Sequence, residues 1–271
     1  MRDLPTPRGE QSCAFDINEH GQAVGNSGLP DGESHAFLWD RGTARELAAL
    51  EGLETQGFSI NDRAQVVGFT NESVFFWENG RAVNLGQGRV TAMNQRGQVL
   101  IGEDIDVSYA RVWHRGAVTR LDDVTGTVTT SRGVEHGEVA AINDSGIVVG
   151  SDFSPTLPTR ACLWRGGHMR RLGALAGGTS RAVALNNHGQ IVGRSSVATV
   201  PRSQEPDLRI VHAVVWDHGR ISDLGTLGEL NSEAVAINEA SEIIGAIVTK
   251  QRNPATGASR QTHAMLWTRR V

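Results

Sequence analysis

The sequence predicts an all-β fold, a six-bladed β-propeller with four-stranded blades, and three observations carry this prediction. A unit of roughly 40–50 residues recurs along the chain, a period typical of propeller blades. All six tryptophans occupy one position of that unit, in segments such as HAFLW, HAVVW and HAMLW. Apolar and polar residues alternate over short runs, whereas no stretch keeps a helical period over several turns.

The four strands of each unit are predicted to begin with a tight hairpin. In the first unit the strands are SCAFDIN, QAVGN, HAFLW and ARELA. The first two are joined by Asn-x-x-Gly, in which the Asn side chain caps the turn and Gly adopts a left-handed conformation. Two turns have Ala64 and Ser241 in place of Gly, and we expect these turns either to carry some strain or to use another geometry. The repeated Asn residues are Asn18, Asn61, Asn94, Asn143, Asn186 and Asn238.

The two chain ends are predicted to complete one blade. In the first five units a Leu follows the Trp by eight residues, but only four residues follow Trp267. The segment Asp3–Asn18 is in register with Asp223–Asn238, which places Leu4 in the missing position. We therefore expect Met1–Leu4 to supply the outer strand of the last blade and to close residues 1–271 into a single β-propeller domain, since an open array exposes a sheet edge at each end.

Composition and charge exclude several classes of partner. A net charge of −4 and a pI near 6.1 give no electrostatic attraction for nucleic acid. No apolar run approaches the ~20 residues that span a membrane, and the N-terminal segment has neither the apolar core nor the cleavage site of a signal peptide. We therefore expect a cytoplasmic monomer without nucleic-acid or membrane contacts. Cys13 and Cys162 are expected to remain free thiols.

The repeated motifs resemble those of the HAF-repeat family, often described as predicted extracellular repeats. The resemblance rests on HAFLW, HAVVW and HAMLW, on the AIN strands followed by VG or IG, and on LGALAGG and LGTLGE. It covers practically the whole chain. It implies a propeller-like repeat fold and little about chemistry. Within that fold, the Trp residues and the motif histidines His35, His212 and His263 are expected to be structural.

Position two of the inner strand gives the sharpest functional signal. A core position would repeat one apolar residue, whereas this one varies and is mostly charged, as expected around the mouth of a central channel. Facing charges in a partly desolvated mouth have displaced pKa values and can act as acid and base. A solvated ring of compensating ion pairs explains the pattern equally well. The six residues, called the polar ring below, are Cys13, Gln56, Arg89, Glu138, Arg181 and Glu233.

Three further residues are candidates for the same face. Asp16 stands where other units have Ser or Ala, so its carboxylate needs water, a donor or a cation. His136 lies in an inserted segment beside two Glu and suits proton transfer. Tyr109 replaces the motif His of the third unit beside the acidic segment 103–106, where a solvated loop is favoured over a cation site. The predicted catalytic residues are Glu138, His136 and Glu233; the predicted substrate-binding residues are Arg89, Arg181, Gln56, Cys13, Asp16 and Tyr109; no metal ligand is predicted.

Three long segments are predicted to form a lid over the polar ring. They are Ser195–Arg209, Lys250–Thr262 and Asp122–Glu135. The connections between second and third strands and between successive blades emerge on one face, and long loops on a rigid scaffold often bind ligands.

Two functions fit these observations. The first is a small-molecule-binding propeller that performs acid/base chemistry of the lyase, isomerase or cyclase type on a polar metabolite, without an organic cofactor. The alternative is a non-catalytic peptide- or protein-binding module, with Val197, Val200, Leu208 and Ile210 as exposed anchors. The chain has no Gly-rich phosphate loop, GxSxG, HExxH or CxxC motif, so nucleotide-dependent, serine-hydrolase and zinc-peptidase functions have no support.

Overall fold

The computed structural model describes residues 4, 11–28, 33–47, 54–71, 73–102, 109–122, 128–130, 133–135, 138–152, 158–176, 178–198, 210–249 and 262–268. Every regular element in these ranges is a β-strand, which confirms the predicted all-β class. The chain divides into two compact units, Met1–Arg120 and Leu121–Val271.

The N-terminal unit contains three four-stranded antiparallel sheets, each built from strands consecutive in sequence. Sheet 1 is β1 (Ser12–Ile17), β2 (Ala23–Gly28), β3 (Ser34–Asp40) and β4 (Thr43–Glu46). Sheet 2 is β5 (Thr55–Ile60), β6 (Val66–Thr70), β7 (Val74–Glu78) and β8 (Arg81–Gly86). Sheet 3 is β9 (Arg89–Met93), β10 (Val99–Gly102), β11 (Arg111–His114) and β12 (Ala117–Arg120).

The C-terminal unit begins with a hairpin and continues with three sheets of the same kind. The hairpin is β13 (Val128–Thr130) and β14 (Gly133–Glu135). Sheet 4 is β15 (Glu138–Ile142), β16 (Val148–Asp152), β17 (Arg160–Arg165) and β18 (His168–Arg171). Sheet 5 is β19 (Ser180–Leu185), β20 (Ile191–Ala198), β21 (Ile210–Asp217) and β22 (Arg220–Asp223). Sheet 6 has three described strands, β23 (Asn231–Ile237), β24 (Ile243–Val248) and β25 (Thr262–Trp267).

The hairpin between the first and second strands is capped by its Asn, as predicted. In sheet 5 the Asn186 amide N–H donates to the Gln190 carbonyl at 3.0 Å, and the Asn186 Oδ1 accepts from the Gln190 N–H at 3.0 Å. Gly189 has a φ of +80°, in the left-handed region. Ala64 and Ser241, which replace the Gly, have φ values of 55° and 64°, so the predicted strain is present.

The same Asn also joins one sheet to the next. Its Nδ2 donates to the main-chain carbonyl of the corresponding Asn in the following sheet, and this bond holds neighbouring hairpins together. In the N-terminal unit the bonds run from Asn18 to Asn61 at 3.0 Å and from Asn61 to Asn94 at 3.2 Å. In the C-terminal unit they run from Asn143 to Asn186 and from Asn186 to Asn238, both at 3.1 Å.

Each inner strand carries a β-bulge that the repeat pattern alone does not reveal. The register shifts between positions three and five, as between Ala14 and Asp16, so position four is the extra residue. A Gly of the second strand usually faces the bulge at very close range. In sheet 5 a Cβ added to Gly193 would lie 2.0 Å from the carbonyl oxygen of Arg181. The six bulged residues are Phe15, Phe58, Thr91, Ala140, Val183 and Val235.

Successive sheets within each unit pack through repeated positions. Ile60, at position six of β5, lies in one core cluster with Val24 and Leu38 of the preceding sheet. Five of the six Trp side chains are buried. Trp216 Nε1 donates at 2.9 Å to the carbonyl of Gly173, just after the preceding outer strand, whereas Trp77 Nε1 is buried without a hydrogen-bond partner among the described residues. The structural role predicted for the Trp residues is therefore confirmed where the interfaces are described.

The motif histidines pair with an acidic residue of the outer strand. His35 Nδ1 lies 2.5 Å from Glu46 Oε1, and His212 Nδ1 lies 2.7 Å from Asp223 Oδ2. Each acid directly precedes the Leu that ends the unit. The histidines therefore hold the third strand to the fourth, which confirms the predicted structural role for His35 and His212.

Two complementary apolar faces, one on sheet 1 and one on sheet 6, are exposed. In sheet 1 Ile17, at position six, is 66% exposed. In sheet 6 Ile244 and Leu266 are 52% and 57% exposed, whereas their counterparts in sheet 1, Val24 and Leu38, are buried.

The predicted closing strand Met1–Leu4 lies outside the described residues except for Leu4. Leu4 packs with the core cluster that contains Phe37 and Trp39. Leu172 takes the corresponding place in the cluster that contains Trp216. Leu4 therefore occupies, beside sheet 1, the position that a preceding outer strand occupies beside other sheets.

The predicted lid is only partly described. Asp122–Glu135 was expected to be a loop, but it contains the hairpin β13–β14. Ser195–Arg209 begins as a continuation of β20 as far as Ala198. The remainder of that segment and residues 250–261 lie outside the described residues. Of the chain that is described, no part forms a helix of the length and apolarity that crossing a membrane requires.

Candidate functional site

A cavity of about 530 Å³ opens in the N-terminal unit at the start of β5 and β9. The β6–β7 and β8–β9 connections form its rim, which is the face that the sequence predicted to bind ligands. Its volume lies in the range of small-molecule sites. The lining residues that matter below are Phe15, Gln56, Phe58, Phe69, Asn71 and Arg89.

The apolar part of the cavity is made by three phenylalanines with exposures between 37% and 53%. Phe15 and Phe58 are the bulged residues of β1 and β5, and the bulge turns them away from the sheet interface. Phe69 lies on β6 as the Cα partner of Gln56. Exposed aromatic rings gathered around one cavity are a usual feature of binding surfaces.

The polar part of the cavity includes two residues of the polar ring. Gln56 is the second residue of β5, and Arg89 is the first residue of β9. Within the described part of the chain, the side chains of Gln56, Arg89 and Asn71 have no hydrogen-bond or ion-pair partner. Gly88 precedes Arg89 with a φ of +133°, and a Cβ there would lie 2.6 Å from Ile101 Cγ2. The β8–β9 turn therefore depends on glycine to place Arg89 at the rim.

In the C-terminal unit the polar-ring residues are paired with opposite charges. Arg181 Nη1 lies 4.0 Å from Glu138 Oε2, and Arg194 Nη1 donates to Glu233 Oε2 at 2.9 Å. Arg194 was not among the predicted residues; it is the Cα partner of Arg181 on β20. These contacts agree with the alternative explanation of the polar ring, in which its charged residues form compensating ion pairs.

The other predicted residues lie in different surroundings. Asp16 Oδ2 accepts hydrogen bonds from Ser59 Oγ at 2.7 Å and from the Ile60 N–H at 2.9 Å, so it links sheets 1 and 2. The Arg120 guanidinium carbon lies over the Tyr109 ring, 4.3 Å from the centre of that ring. Cys13 is exposed on β1, outside the cavity lining. His136 lies outside the described residues.

Sequence reasoning missed the aromatic wall of the cavity. Position four of the inner strand is not among the predicted site positions, although it holds Phe in the first two repeats. The signal was present, because the corresponding residues in other units are smaller, as in Thr91 and Ala140. A large aromatic residue at a position that is not repeated indicates a local role.

A second cavity of about 680 Å³ lies at the other end of sheets 2 and 3. It is bordered by the hairpin turns of these sheets and by Arg81, Arg96 and Arg115. Glu78 lies in the same lining and accepts from Gln65 Nε2 at 2.6 Å. No residue that was predicted to be functional lies there.

Burial changes the ionisation of two groups outside the cavities. Burial raises the pKa of the Cys162 thiol to about 12, and the nearby Asp152 carboxylate adds to this effect. Burial also lowers the pKa of Arg111, whose guanidinium donates to the carbonyls of Leu85 and Gln87. Across the described ranges, no three His, Cys, Asp or Glu side chains are grouped so as to hold a metal ion.

Comparison with known proteins gives a likeness of fold. No family model and no curated protein match the chain. Among solved structures the chain is similar to Pyrococcus horikoshii acylaminoacyl peptidase, with 10% identity and a TM-score of 0.52 over 95% of this chain and 45% of that one. It is also similar to the β-propeller domain of the trilobed protease from Pyrococcus furiosus, with 10% identity and a TM-score of 0.49 over 96% of this chain and 83% of that one.

The chain thus spans less than half the length of the first of these proteins. At 10% identity the likeness shows the fold alone. The repeated antiparallel sheets of each unit, built from strands consecutive in sequence, agree with the predicted propeller-like fold.

Proposed function

We propose that the chain is a small-molecule-binding β-propeller module whose ligand site is the cavity of about 530 Å³ in the N-terminal unit. The observation that supports this proposal is the exposure of Phe15, Phe58 and Phe69 around one cavity. Burying an aromatic side chain removes about 150–250 Å² from water, so a ligand that covers these rings is favoured by the hydrophobic effect. Gln56, Asn71 and Arg89 supply the few polar groups that orient a ligand in such sites.

A binding screen with one matched control tests this proposal. Saturation-transfer NMR with one- and two-ring fragments should give binders to the wild type that are lost in Phe58→Ala. Val118→Ala, which removes an exposed apolar side chain outside the cavity lining, should keep them. Fragments that bind Phe58→Ala as well as the wild type would show that the cavity is not the site.

Acid/base chemistry of the lyase, isomerase or cyclase type by Glu138, His136 and Glu233 stays a prediction. The pairing of Glu138 with Arg181 and of Glu233 with Arg194 favours the ion-pair alternative, because each carboxylate is already partly neutralised. The binding role proposed above does not depend on these residues.

The peptide- or protein-binding alternative would use the same face. Of its predicted anchors, Val197 and Ile210 are half-buried, and Val200 and Leu208 lie outside the described residues. The concave aromatic cavity is better suited to a small ligand than to an extended chain.

We also propose that the six sequence repeats close into one ring, as the register of Asp3–Asn18 with Asp223–Asn238 predicts. The exposed Ile17 and the exposed pair Ile244 and Leu266 are the two halves of the interface that Ile60, Val24 and Leu38 form elsewhere. The motif histidines support the same register. An acid precedes the final Leu in the two sheets where His35 and His212 pair with it, and counting from His263 to Leu4 gives Asp3 in that place.

A further inference from the structure

We infer that the ligand of the cavity in the N-terminal unit is an aromatic organic acid, a flat apolar body that carries one carboxylate or an equivalent anionic group. This inference rests on the proposed binding function and adds the chemical class of the ligand. It follows from three properties of the cavity: the arrangement of its aromatic rings, the sign of its charge and the unused donors at its rim.

The aromatic rings define the body of the ligand. Phe15 and Phe58 come from bulges on two neighbouring inner strands, and Phe69 comes from the second strand of sheet 2. Aromatic pairs prefer stacked or edge-to-face contacts, which add to the gain from burial. Three phenyl rings around about 530 Å³ therefore suit a flat ligand of one or two rings.

The charge of the cavity defines the other end of the ligand. Among the described residues that line it, Arg89 is the single charged one. The Arg111 guanidinium lies directly behind the β8–β9 turn, because a Cβ on Gly88 would be 3.3 Å from its Nη1. The bonds of Arg111 to the Leu85 and Gln87 carbonyls fix it in place, so its charge adds to that of Arg89 without competing for the ligand.

The free donors at the rim indicate how the anion is held. The Arg89 guanidinium presents a planar set of N–H groups that matches a carboxylate. The Gln56 and Asn71 carboxamides, which also line the cavity, can donate to the second carboxylate oxygen. A cation would have no carboxylate partner among the described lining residues, whereas a carboxylate has one charged and two neutral donors.

A pair of ligands with the same ring and opposite charge tests this inference. We would measure binding of 2-naphthoate and of 2-naphthylmethylammonium to the full chain by isothermal titration calorimetry at pH 7. 2-Naphthoate should bind roughly three- to tenfold more tightly, because ion pairs at exposed sites are modest. Arg89→Met should remove this preference, and raising the salt concentration should reduce it.

Two further variants separate the ligand class from the site. Phe58→Ala should weaken both ligands by a similar factor, whereas Arg220→Met, which removes an exposed charge of the C-terminal unit at a position outside the candidate residues, should change neither. If 2-naphthylmethylammonium binds more tightly and still depends on Phe58, the inferred ligand class is wrong while the proposed site stands. If neither ligand binds, or if Phe58→Ala leaves both unchanged, the proposed site fails and the inference fails with it.

Discussion

At the residue scale, Cys13 and Cys162 show how burial decides thiol chemistry. Both are free, but Cys13 is exposed, whereas Cys162 lies on β17 at 0% exposure. The thiolate is the reactive form, and burial disfavours it by raising the pKa of Cys162 to about 12. Two cysteines of equal standing in the sequence therefore differ sharply in the folded chain.

We expect a thiol reagent such as DTNB to modify one cysteine of the native protein at pH 8 and both after denaturation. Cys13→Ser should abolish the native reaction.

The folded state holds the Cys162 proton more tightly than the unfolded chain, so this contribution to stability is complete below pH 9.0 and is lost as the pH rises towards about 12.

The pH dependence gives an independent check. Between pH 9 and 10.5 the free energy of unfolding of the wild type should fall more steeply than that of Cys162→Ala. The difference in slope should approach 1.4 kcal/mol per pH unit, roughly the value for one proton. Parallel slopes would contradict the assigned pKa.

The ion pair between Glu138 and Arg181 of the polar ring is expected to contribute little to stability. Glu138 and Arg181 lie 4.0 Å apart; the Glu138 side chain is 72% exposed and that of Arg181 36%. Ion pairs at the surface contribute roughly 0–1 kcal/mol. We expect a double-mutant cycle of Glu138→Gln and Arg181→Met to give a coupling free energy of unfolding below about 1 kcal/mol. If turnover of any substrate is found, loss of activity in Glu138→Gln without loss of stability would confirm the catalytic role predicted for Glu138.

At the element scale, the bulged inner strand is the feature that links scaffold and site. The bulge turns the side chains of Phe15 and Phe58 away from the sheet interface and towards the cavity. The Gly on the paired strand has no side chain that would collide with the bulged backbone. The bulge therefore explains two features of the sequence. The Gly opposite it is repeated because the fold requires it, whereas the bulged residue differs between repeats and lines the cavity in the first two.

Gly193→Ala tests this account, because its new Cβ would lie 2.0 Å from the backbone oxygen of Arg181. Backbone atoms cannot move aside cheaply, so the free energy of unfolding should fall by about 3 kcal/mol or more. Gly173→Ala is the matched control, since its Cβ would meet nothing closer than 3.9 Å. Urea denaturation measures both variants, and equal stabilities would refute the close-approach argument.

At the scale of the whole molecule, the open question is what covers the exposed faces of sheets 1 and 6. In sheets 1 and 2 a Cβ on Gly57 would lie 2.5 Å from Val24 Cγ2, so these two positions are in direct contact. Ala14 and Ile244 hold the same two positions at the exposed faces. If the ring closes, they meet in the same way.

An Ala14→Cys and Ile244→Cys pair, in a background without Cys13 and Cys162, should therefore form an intramolecular disulfide under mild oxidation. Non-reducing gel mobility identifies it. Val67→Cys with Val90→Cys is the positive control, since these residues share one cluster at the same repeat positions. Disulfide-linked dimers instead of closed monomers would mean that a second copy covers the faces.

By itself the sequence determined the class, the repeat, the capped hairpins and the structural Trp and His positions. These features follow from local chemistry: alternation forms strands, Asn satisfies turn amides, and an aromatic repeated in one position fills one kind of interface. The sequence also identified the six residues of the polar ring as one group, because position two of the inner strand varies whereas the neighbouring positions repeat similar residues. Two of its members, Gln56 and Arg89, do line one cavity.

Only the tertiary structure decided the rest. The bulge depends on pairing between strands, so no single strand reveals that Phe15 and Phe58 point into a cavity. The ion pair of Arg194 with Glu233 joins residues 39 positions apart. Asp16, whose substrate-binding role stays a prediction, accepts hydrogen bonds from the neighbouring sheet. Sequence periodicity specifies which residues share a position, whereas the function of a position depends on what packing brings opposite to it.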